Sequence, residues 1–281
     1  MLVESSLESL YPVREAKSIS LMVMEHLNYK KRDIYLRRDE ILGKDQLKAL
    51  LHYIGELKAR KPVQYVLGHT LFYDLRIMVG PGVFIPRPET EELVDWIIHE
   101  HHGQTPAILD AGTGSGCIAL ALAVHLPGSR VTGLDNSTSA LAMAEKNGTI
   151  LNTPVQWLKA DLTDRTGHNT LGFFDLVVSN PPYVPLSEKA AMSCHITDNE
   201  PPEAIFVPDS QPLLYYKHII DLCNRHLAPQ GRVYFEIHEN YHEQVHSILL
   251  SEGYIRVELR KDINGKYRMI RGQKHGKHER E

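Results

Sequence analysis

Four consecutive residues could together hold a planar amino group: Asn180, Pro181, Pro182 and Tyr183. They follow an apolar run, residues 173–179, that is typical of a buried strand. Proline fixes φ near about −65° and donates no backbone hydrogen bond, so the carbonyls beside the prolines are held in direction and free to accept. With the Asn180 side-chain oxygen and the Tyr183 ring, these groups suit the NH2 of an amide or of a base amine. The alternative is a Pro-Pro turn without chemistry.

A glycine-rich turn follows another predicted strand and leads into an apolar helix, residues 118–124. The turn consists of Gly112, Thr113, Gly114, Ser115 and Gly116. Glycines at alternate positions allow a tight turn and a close approach of the backbone to a ligand at a helix N-terminus. The dinucleotide fingerprint needs a further glycine, for which Cys117 leaves no place. Such loops are common, so the turn by itself is a weak signal.

Two acidic residues end the next two predicted strands. Asp135 stands nineteen residues after Gly116, where a carboxylate accepts hydrogen bonds from ribose hydroxyls. Asp161, followed by Leu162, could hold the edge and the face of an adenine. The alternatives are an N-cap role for Asp135 and a surface turn for Asp161. Ligand-type residues after successive strands, with Asn180 after the fourth, fit S-adenosylmethionine; no metal site is expected.

After Pro88 the pattern becomes strand, glycine turn and helix in repetition, which predicts an α/β fold with a parallel sheet covered on both faces. The predicted strands are residues 107–109, 130–134, 155–158, 174–178 and 232–237. Asn264-Gly265, between strand-like runs at 254–259 and 267–270, predicts a closing antiparallel hairpin.

Apolar residues at spacings of three and four before position 63 predict a small helical bundle. Short strand-like pieces near Gly80 then predict a connecting hairpin. We expect a helical domain at residues 1–63, the hairpin at 64–88, the sheet domain at 89–272 and a polar, disordered tail at 273–281, with disorder from Gly272 onward.

Charge divides the chain unevenly. Residues 1–80 contain 13 Lys+Arg and 10 Asp+Glu, whereas the remainder contains 18 and 25, so a mildly basic part precedes an acidic one. We interpret its basic residues as solvated helix faces, with a docking surface for an acidic partner as the alternative. They include Lys30, Lys31, Arg32, Arg37 and Arg38.

Composition argues against several classes of protein. The net charge of −4 disfavours stable nucleic-acid binding, and no apolar run approaches a membrane span. Three scattered cysteines argue against a disulfide framework and for a reducing compartment. The first residues carry acids where a secretory signal carries bases, so we expect a cytoplasmic protein.

The chain closely resembles the bacterial HemK/PrmC family of release factor N5-glutamine methyltransferases over nearly its whole length. Besides the tetrapeptide at Asn180 and the glycine loop, the likeness rests on four segments. They are residues 60–68, residues 84–91 (Phe-Ile-Pro-Arg-Pro-Glu-Thr-Glu), Glu200-Pro201 and Phe235-Glu236-Ile237. The Ile-Pro-Arg-Pro-Glu-Thr-Glu run is the more discriminating mark, because Asn-Pro-Pro-Tyr occurs across amino methyltransferases.

The resemblance implies a Rossmann-like methyltransferase sheet, an N-terminal helical domain and a hairpin between them. It implies S-adenosylmethionine as cofactor and the glutamine of a Gly-Gly-Gln loop in peptide chain release factors as substrate. By motif, Gly112 to Gly116 would cradle the methionine part, Asp135 the ribose, and Asp161 with Leu162 the adenine. Asn180, which would also border the cofactor, would hold the glutamine amide with Pro181, Pro182 and Tyr183.

The chain departs from the family pattern at residues 207–212, where glycines are usual, and at His238, which replaces a glycine. These departures concern the conformation of local loops and details of target docking more than methyl transfer.

The expected mechanism is in-line displacement on the sulfonium methyl, with the amide nitrogen aligned by the Asn180 oxygen and the Pro181 carbonyl. No general base is evident in the motif; Glu89, Glu236 and His238 are acid–base candidates that we interpret as structural. The main alternative is methylation of adenine N6 or guanine N2, which presents a similar NH2. A nicotinamide-dependent oxidoreductase and a non-catalytic binding protein are further alternatives.

Overall fold

The computed structural model describes residues 2–30, 32 and 42–276. Its first part is helical, as predicted: α1 is Leu2–Leu7, α2 is Val13–His26, α3 is Lys44–Lys58 and α4 is Val63–Leu67. Apolar side chains from these helices form one cluster that includes Leu7, Ile19, Val23, Leu50, Ile54 and Leu57. The spacing of three and four therefore builds a small core of its own.

The basic residues of this part are described only in part. Lys30 and Arg32 are exposed, whereas Lys31, Arg37 and Arg38 lie outside the described residues. The domain limits suggested by the sequence stay predictions; the last of these helices ends at Leu67.

The expected hairpin consists of β1, His69–Phe72, and β2, Leu75–Met78, paired antiparallel. Tyr73 and Asp74 form its turn with φ of 47° and 62°. Asn147 anchors the hairpin to the larger domain: its Oδ1 accepts from Met78 N at 2.7 Å, and its Nδ2 donates to the Met78 and Ser115 carbonyls. One buried amide thus joins the hairpin to the glycine-rich turn.

A seven-stranded sheet follows, in the order β10-β11-β9-β6-β3-β4-β5, where β10 is Tyr254–Lys261 and β11 is Tyr267–Lys274. The strands β3 (Ala107–Ala111), β4 (Arg130–Asp135), β5 (Gln156–Lys159), β6 (Phe174–Ser179) and β9 (Leu227–Glu236) are parallel. Their carboxyl ends therefore meet at one edge, as the alternation of strand and helix predicts.

Helices cover both faces of this sheet, which confirms the predicted α/β layering. They are α5 (Pro88–His101), α6 (Cys117–His125), α7 (Thr138–Ile150), α9 (Leu214–His226) and α10 (His242–Ser251). The apolar side chains of α5 and α6 pack in one cluster, and those of α9 and α10 pack in another. Burial on two faces explains the apolar runs within the central strands, such as Ile108-Leu109 of β3 and Leu176-Val177-Val178 of β6.

The sheet closes with an antiparallel hairpin of β10, Tyr254–Lys261, and β11, Tyr267–Lys274. The predicted Asn264-Gly265 turn is confirmed, with Gly265 at φ 78°. Disorder from Gly272 onward is wrong for residues 272–274, because they belong to β11. Lys274 Nζ donates to the Leu227 carbonyl at 2.7 Å, and Gln273 is buried, so polar residues hold this strand end in place.

The sequence analysis did not predict the short elements between β6 and α9. They are β7 (Val184–Pro185), the short helix α8 (Cys194–Thr197) and β8 (Phe206–Val207), with β7 and β8 paired parallel. Within the described part of the chain, no helix has both the length and the apolar character needed to span a bilayer.

Candidate active site

A cavity opens at the carboxyl edge of the parallel strands. Most of the predicted cofactor residues line it: Gly112, Thr113, Gly114, Ser115, Asp135, Asp161, Leu162 and Asn180, together with Pro182. These residues come from the ends of β3, β4, β5 and β6, so the topology brings together positions up to seventy residues apart in sequence. This is the crevice in which α/β sheets bind their ligands.

The glycine-rich turn wraps under this cavity. Gly112 and Gly114 have φ of 80° and 56°, a region that favours glycine, and a Cβ at Gly114 would meet nothing within 4 Å. Gly112 N and Thr113 N both donate to the Leu134 carbonyl, at 2.8 and 2.9 Å, which fixes the turn against β4. The backbone at Gly114 is therefore open to a ligand.

Gly116 differs from the other glycines of the turn. It does not belong to the cavity lining, and a Cβ there would lie 2.8 Å from the Trp157 ring. Its φ of 81° and this close contact explain the glycine by packing. Of the five loop residues, Gly116 is thus the one that the geometry assigns to folding rather than to the cavity.

Asp135 faces the cavity from the end of β4. Its Oδ2 accepts from Gly114 N at 2.8 Å and its Oδ1 from Ser137 N at 2.9 Å. The N-cap of α7 is Ser137, whose hydroxyl accepts from Ala140 N, so the alternative capping role for Asp135 is wrong. Burial raises the pKa of Asp135, and the two backbone donors oppose this rise. Each oxygen keeps a second lone pair for a ligand hydroxyl.

Asp161 follows β5 and reaches the same cavity with Leu162. Its Oδ1 accepts from both the backbone N and the hydroxyl of Thr163, at 2.8 and 2.7 Å. The Thr163 backbone donor holds the pKa of Asp161 below its usual value, so the group is an anion at neutral pH. Asp161 can therefore stabilise its turn through Thr163 and still offer acceptors to a ligand in the cavity.

A second cavity adjoins the first at the tetrapeptide. It is lined by Asn180, Pro181, Pro182 and Tyr183 together with apolar side chains that include Phe84, Met192, Ile196 and Ile205. Phe84, Asn180 and Pro182 belong to both linings. The backbone and side-chain acceptors of the tetrapeptide therefore stand at the junction of two cavities.

Hydrogen bonds involving Thr90 and Glu236 hold the polar side chains of the tetrapeptide. Asn180 Nδ2 donates to Thr90 Oγ1 at 3.1 Å, and the Thr90 hydroxyl donates to Glu236 Oε2 at 2.6 Å. The Tyr183 hydroxyl donates to Glu236 Oε1 at 2.8 Å, so the ring rather than the hydroxyl borders the second cavity. Burial raises the pKa of Glu236, and the Thr90 and Tyr183 hydroxyls partly offset this.

The acid–base candidates have structural contacts. Glu236 lies behind the tetrapeptide, and the His238 side chain accepts from Asn240 N at 3.1 Å at the start of a short 3-10 helix. Glu89 lies on α5, where it lines a groove beside the closing hairpin. None of the three lines either cavity at the tetrapeptide.

Comparisons with known proteins agree with this geometry. Residues 3–68 match the PrmC N-terminal domain family and residues 76–198 match the Methyltransferase small domain family. The chain is 39% identical to the release factor glutamine methyltransferase of Bacteroides thetaiotaomicron, with coverage of 95% of this chain and 96% of the relative. It is 38% identical to that of Flavobacterium psychrophilum, with coverage of 95% and 94%.

The chain belongs to the release factor glutamine methyltransferase family. A solved methyltransferase from Pyrococcus furiosus shares the fold, with a TM-score of 0.54 and 18% identity over 83% of this chain and 100% of that one. The protein is accordingly an enzyme, a methyltransferase that uses S-adenosylmethionine as methyl donor.

The residues of the first cavity fit that cofactor. The open space above Gly114 leaves room for a ligand against the backbone, and Asp135 offers acceptors for ribose hydroxyls. Leu162 and Tyr215 add apolar surface beside Asp161 for a base. The individual assignments of methionine, ribose and adenine to these residues stay predictions.

The methyltransferase site also contains residues that sequence reasoning missed. Thr90, Phe84, Pro86 and Tyr215 line the first cavity. Buried Glu200 holds the Phe84 segment in place, since it accepts from Ile85 N at 3.0 Å and from Arg87 Nη2 at 2.5 Å. Phe84, Pro86, Thr90 and Glu200 lie in segments that carried the family resemblance, so that resemblance was the signal that could have found them. Tyr215 lies in no such segment.

The departures from the family pattern have local structural accounts. Val207 ends β8, and the residues after it turn back through a bond from Gln211 N to the Pro208 carbonyl at 2.8 Å. His238 Nε2 also lies 3.2 Å from Glu188. The first departure therefore lies in the segment that follows the tetrapeptide, and the second, after β9, contacts that segment through Glu188.

Proposed function

We propose that this enzyme transfers a methyl group from S-adenosylmethionine to the side-chain amide nitrogen of a glutamine in the Gly-Gly-Gln motif of peptide chain release factors. The observation that carries the proposal is the junction of the two cavities at Asn180 and Pro182. A cofactor in one cavity and a target side chain in the other would meet there. The names of the curated relatives support the choice of target.

The amide of glutamine suits the groups at this junction. Its NH2 has two protons, and two acceptors are in place: the Asn180 Oδ1 atom and the Pro181 carbonyl. Among the described residues, no N–H or O–H donates to either oxygen. Holding both N–H bonds fixes the direction of the nitrogen lone pair and stabilises the positive charge that develops on it.

The apolar lining of the second cavity suits a target side chain that carries its amide on methylene groups, as glutamine does. The Tyr183 ring, Phe84, Met192 and Ile196 give this cavity an apolar lining beside the acceptors. S-adenosylmethionine, when bound, supplies an electrophilic methyl group on its sulfonium sulfur. The side chains of the enzyme hold and orient the amide, and the proton of the methylated nitrogen can pass to water.

We also propose a cytoplasmic location and no stable complex with nucleic acid. Cys117, Cys194 and Cys223 carry free thiols, and the net charge is −4. Release factors act in translation, which supports the same compartment.

The test is mass spectrometry of unmethylated release factor after incubation with the enzyme and S-adenosylmethionine. We expect a gain of about 14 Da, one CH2 for a hydrogen replaced by a methyl group, on the Gly-Gly-Gln glutamine. Asn180→Ala should lower kcat by roughly a hundredfold, the size typical of a lost transition-state contact, while the cofactor Kd changes little. Asp135→Ala should instead weaken cofactor binding.

A transfer of label from the cofactor to DNA or RNA, with none to release factor, would replace this proposal with a nucleic-acid amino methyltransferase. A proportional loss of cofactor affinity and kcat in Asn180→Ala would remove Asn180 from the catalytic role.

A further inference from the structure

The side chain of Asn180 presents a problem of orientation. Its oxygen and its NH2 have nearly the same shape, but only the oxygen can accept an N–H bond from a target amide. A carboxamide turned the wrong way would point two donors at the NH2 of the substrate and repel it. The proposed function, on which this inference rests, therefore needs something that sets the orientation of Asn180.

The neighbouring hydrogen bonds set it. The Thr90 hydroxyl has a single proton, and it donates that proton to Glu236 Oε2 at 2.6 Å. Its oxygen can then only accept, and it accepts from Asn180 Nδ2 at 3.1 Å. The NH2 of Asn180 is thus turned towards Thr90, and the oxygen faces the junction of the two cavities.

Glu236 is fixed from its other side as well. Its Oε1 accepts from the Tyr183 hydroxyl at 2.8 Å, and that hydroxyl lies 3.5 Å from Arg268 Nη1. Thr90 and Glu236 are 2% and 1% exposed, so water does not compete for these bonds. One buried carboxylate therefore holds both ends of the tetrapeptide, Asn180 through Thr90 and Tyr183 directly.

We propose that Thr90 and Glu236 are positioning residues that fix the orientation of the Asn180 carboxamide and so select a target that donates hydrogen bonds. Thr90 lies in the first turn of α5, and Glu236 is the last residue of β9. They are 146 residues apart in sequence but are hydrogen-bonded to each other beside Asn180. A substrate with an acceptor in place of the NH2 group would place that acceptor against the Asn180 oxygen, and the two acceptors would repel each other.

The first variant is Thr90→Val, which keeps the shape of threonine and removes the hydroxyl. Without it, Asn180 Nδ2 loses its acceptor and both orientations of the amide become accessible. We expect kcat to fall between about ten- and a hundredfold, as for a lost contact to the reacting group. Thr90→Ser keeps a hydroxyl and should restore kcat to within about threefold of the wild type.

Thr132→Val is the matched control, because Thr132 is a buried threonine on β4 outside the network. It should leave kcat unchanged. Glu236→Met should lower kcat like Thr90→Val, since it is of similar size but removes both oxygens that accept from Thr90 and Tyr183. Full kcat in Thr90→Val or Glu236→Met would overturn the assignment of that residue.

A double-mutant cycle separates positioning from general structure. If Thr90 acts through Asn180, Thr90→Val should cost nothing further in an Asn180→Ala background. If the two losses multiply instead, Thr90 does not act through Asn180 and the inference is wrong.

A direct readout does not depend on the substrate. In NMR spectra of the deuterated enzyme, the Asn180 side-chain NH2 should be protected from exchange in the wild type and exposed in Thr90→Val. Equal exchange in both would overturn the inference even if release factor is methylated. Failure of the wild type to methylate any release factor would remove the proposed function and leave this measurement of Asn180 orientation standing.

Discussion

At the scale of single residues, Asp110 is a buried carboxyl group near the site with one oxygen unsatisfied within the described part of the chain. It is fully buried at the end of β3, where its Oδ2 accepts from the Thr113 hydroxyl and from Ala119 N at 2.6 and 3.1 Å. Its Oδ1 has no hydrogen-bond partner among the described residues. Burial raises its pKa from 3.8 to about 7.

This shift predicts a pH-dependent stability. Because the pKa of Asp110 is higher in the folded state, the contribution of Asp110 is fully present below about pH 3.8 and is lost as pH rises to about 7. Asp110→Asn does not titrate, so its stability relative to the wild type should improve by about 2 kcal/mol between about pH 5.5 and pH 8, since one pKa unit is about 1.4 kcal/mol. Unfolding midpoints of both proteins at the two pH values test this. A constant difference would show that Asp110 stays ionised.

At the scale of elements, one tryptophan decides how closely β4, β5 and the glycine-rich turn can pack. Trp157 of β5 lies over Gly133 of β4, where a Cβ would meet the ring at 2.5 Å, and over Gly116 at 2.8 Å. The same Cβ at Gly133 would lie 2.9 Å from the Thr113 hydroxyl. Gly116 and Gly133 are therefore required because the Trp157 ring packs directly against them, beside the glycine-rich turn.

We expect Gly133→Ala to destabilise the enzyme by about 1–3 kcal/mol, as is usual for overpacking a core, and to weaken cofactor binding through Thr113. Gly55→Ala is the contrast: Gly55 lies inside α3, and a Cβ there meets nothing within 4 Å. It should stabilise the helix by about 0.5–1 kcal/mol. Denaturant unfolding and cofactor titration measure both effects. Similar stability in the two variants would contradict the packing role of Trp157.

At the scale of the whole molecule, the helical part contacts the segment that borders the second cavity. The Arg60 carbonyl accepts from Asn199 Nδ2 at 3.1 Å, and Arg60 Nη1 donates to Cys194 Sγ at 2.9 Å. The rings of Tyr11 and His195 stack with centroids 4.8 Å apart. Because Met192 and Ile196 of this segment line the second cavity, the helical part supports one wall of the site.

Asn199→Ala removes one of the hydrogen bonds between the segment and Arg60, and leaves those of Cys194 and His195 in place. We expect amide hydrogen exchange at residues 192–199 to become about three- to tenfold faster, the equivalent of about 1 kcal/mol for a lost hydrogen bond. Cofactor affinity should not change. Asn224→Ala makes the same change at Asn224, whose Nδ2 contacts Glu252, and should leave residues 192–199 unaffected. Unchanged exchange in Asn199→Ala would show that the contact does not hold the segment.

The local patterns of the sequence determined the parallel sheet, its closing hairpin, the glycine-rich turn and the place of the tetrapeptide after a strand. These follow from periodicity and turn chemistry, which act over a few residues. The family resemblance added the target and the segments around Thr90 and Glu200. Sequence spacing could not show that Gly116 serves packing or that Ser137 caps α7, because both depend on which neighbour comes close.

Only the tertiary structure decided the rest. Asn180 and Thr90 are ninety residues apart in sequence, and Thr90 and Glu236 are 146 apart, so no local pattern joins them. Hydrogen bonds between such residues require the sheet order that places β6 beside β9 and α5 over their ends. The sequence determined which chemical groups are present, and the fold decided which way they face, because orientation depends on contacts made across the whole domain.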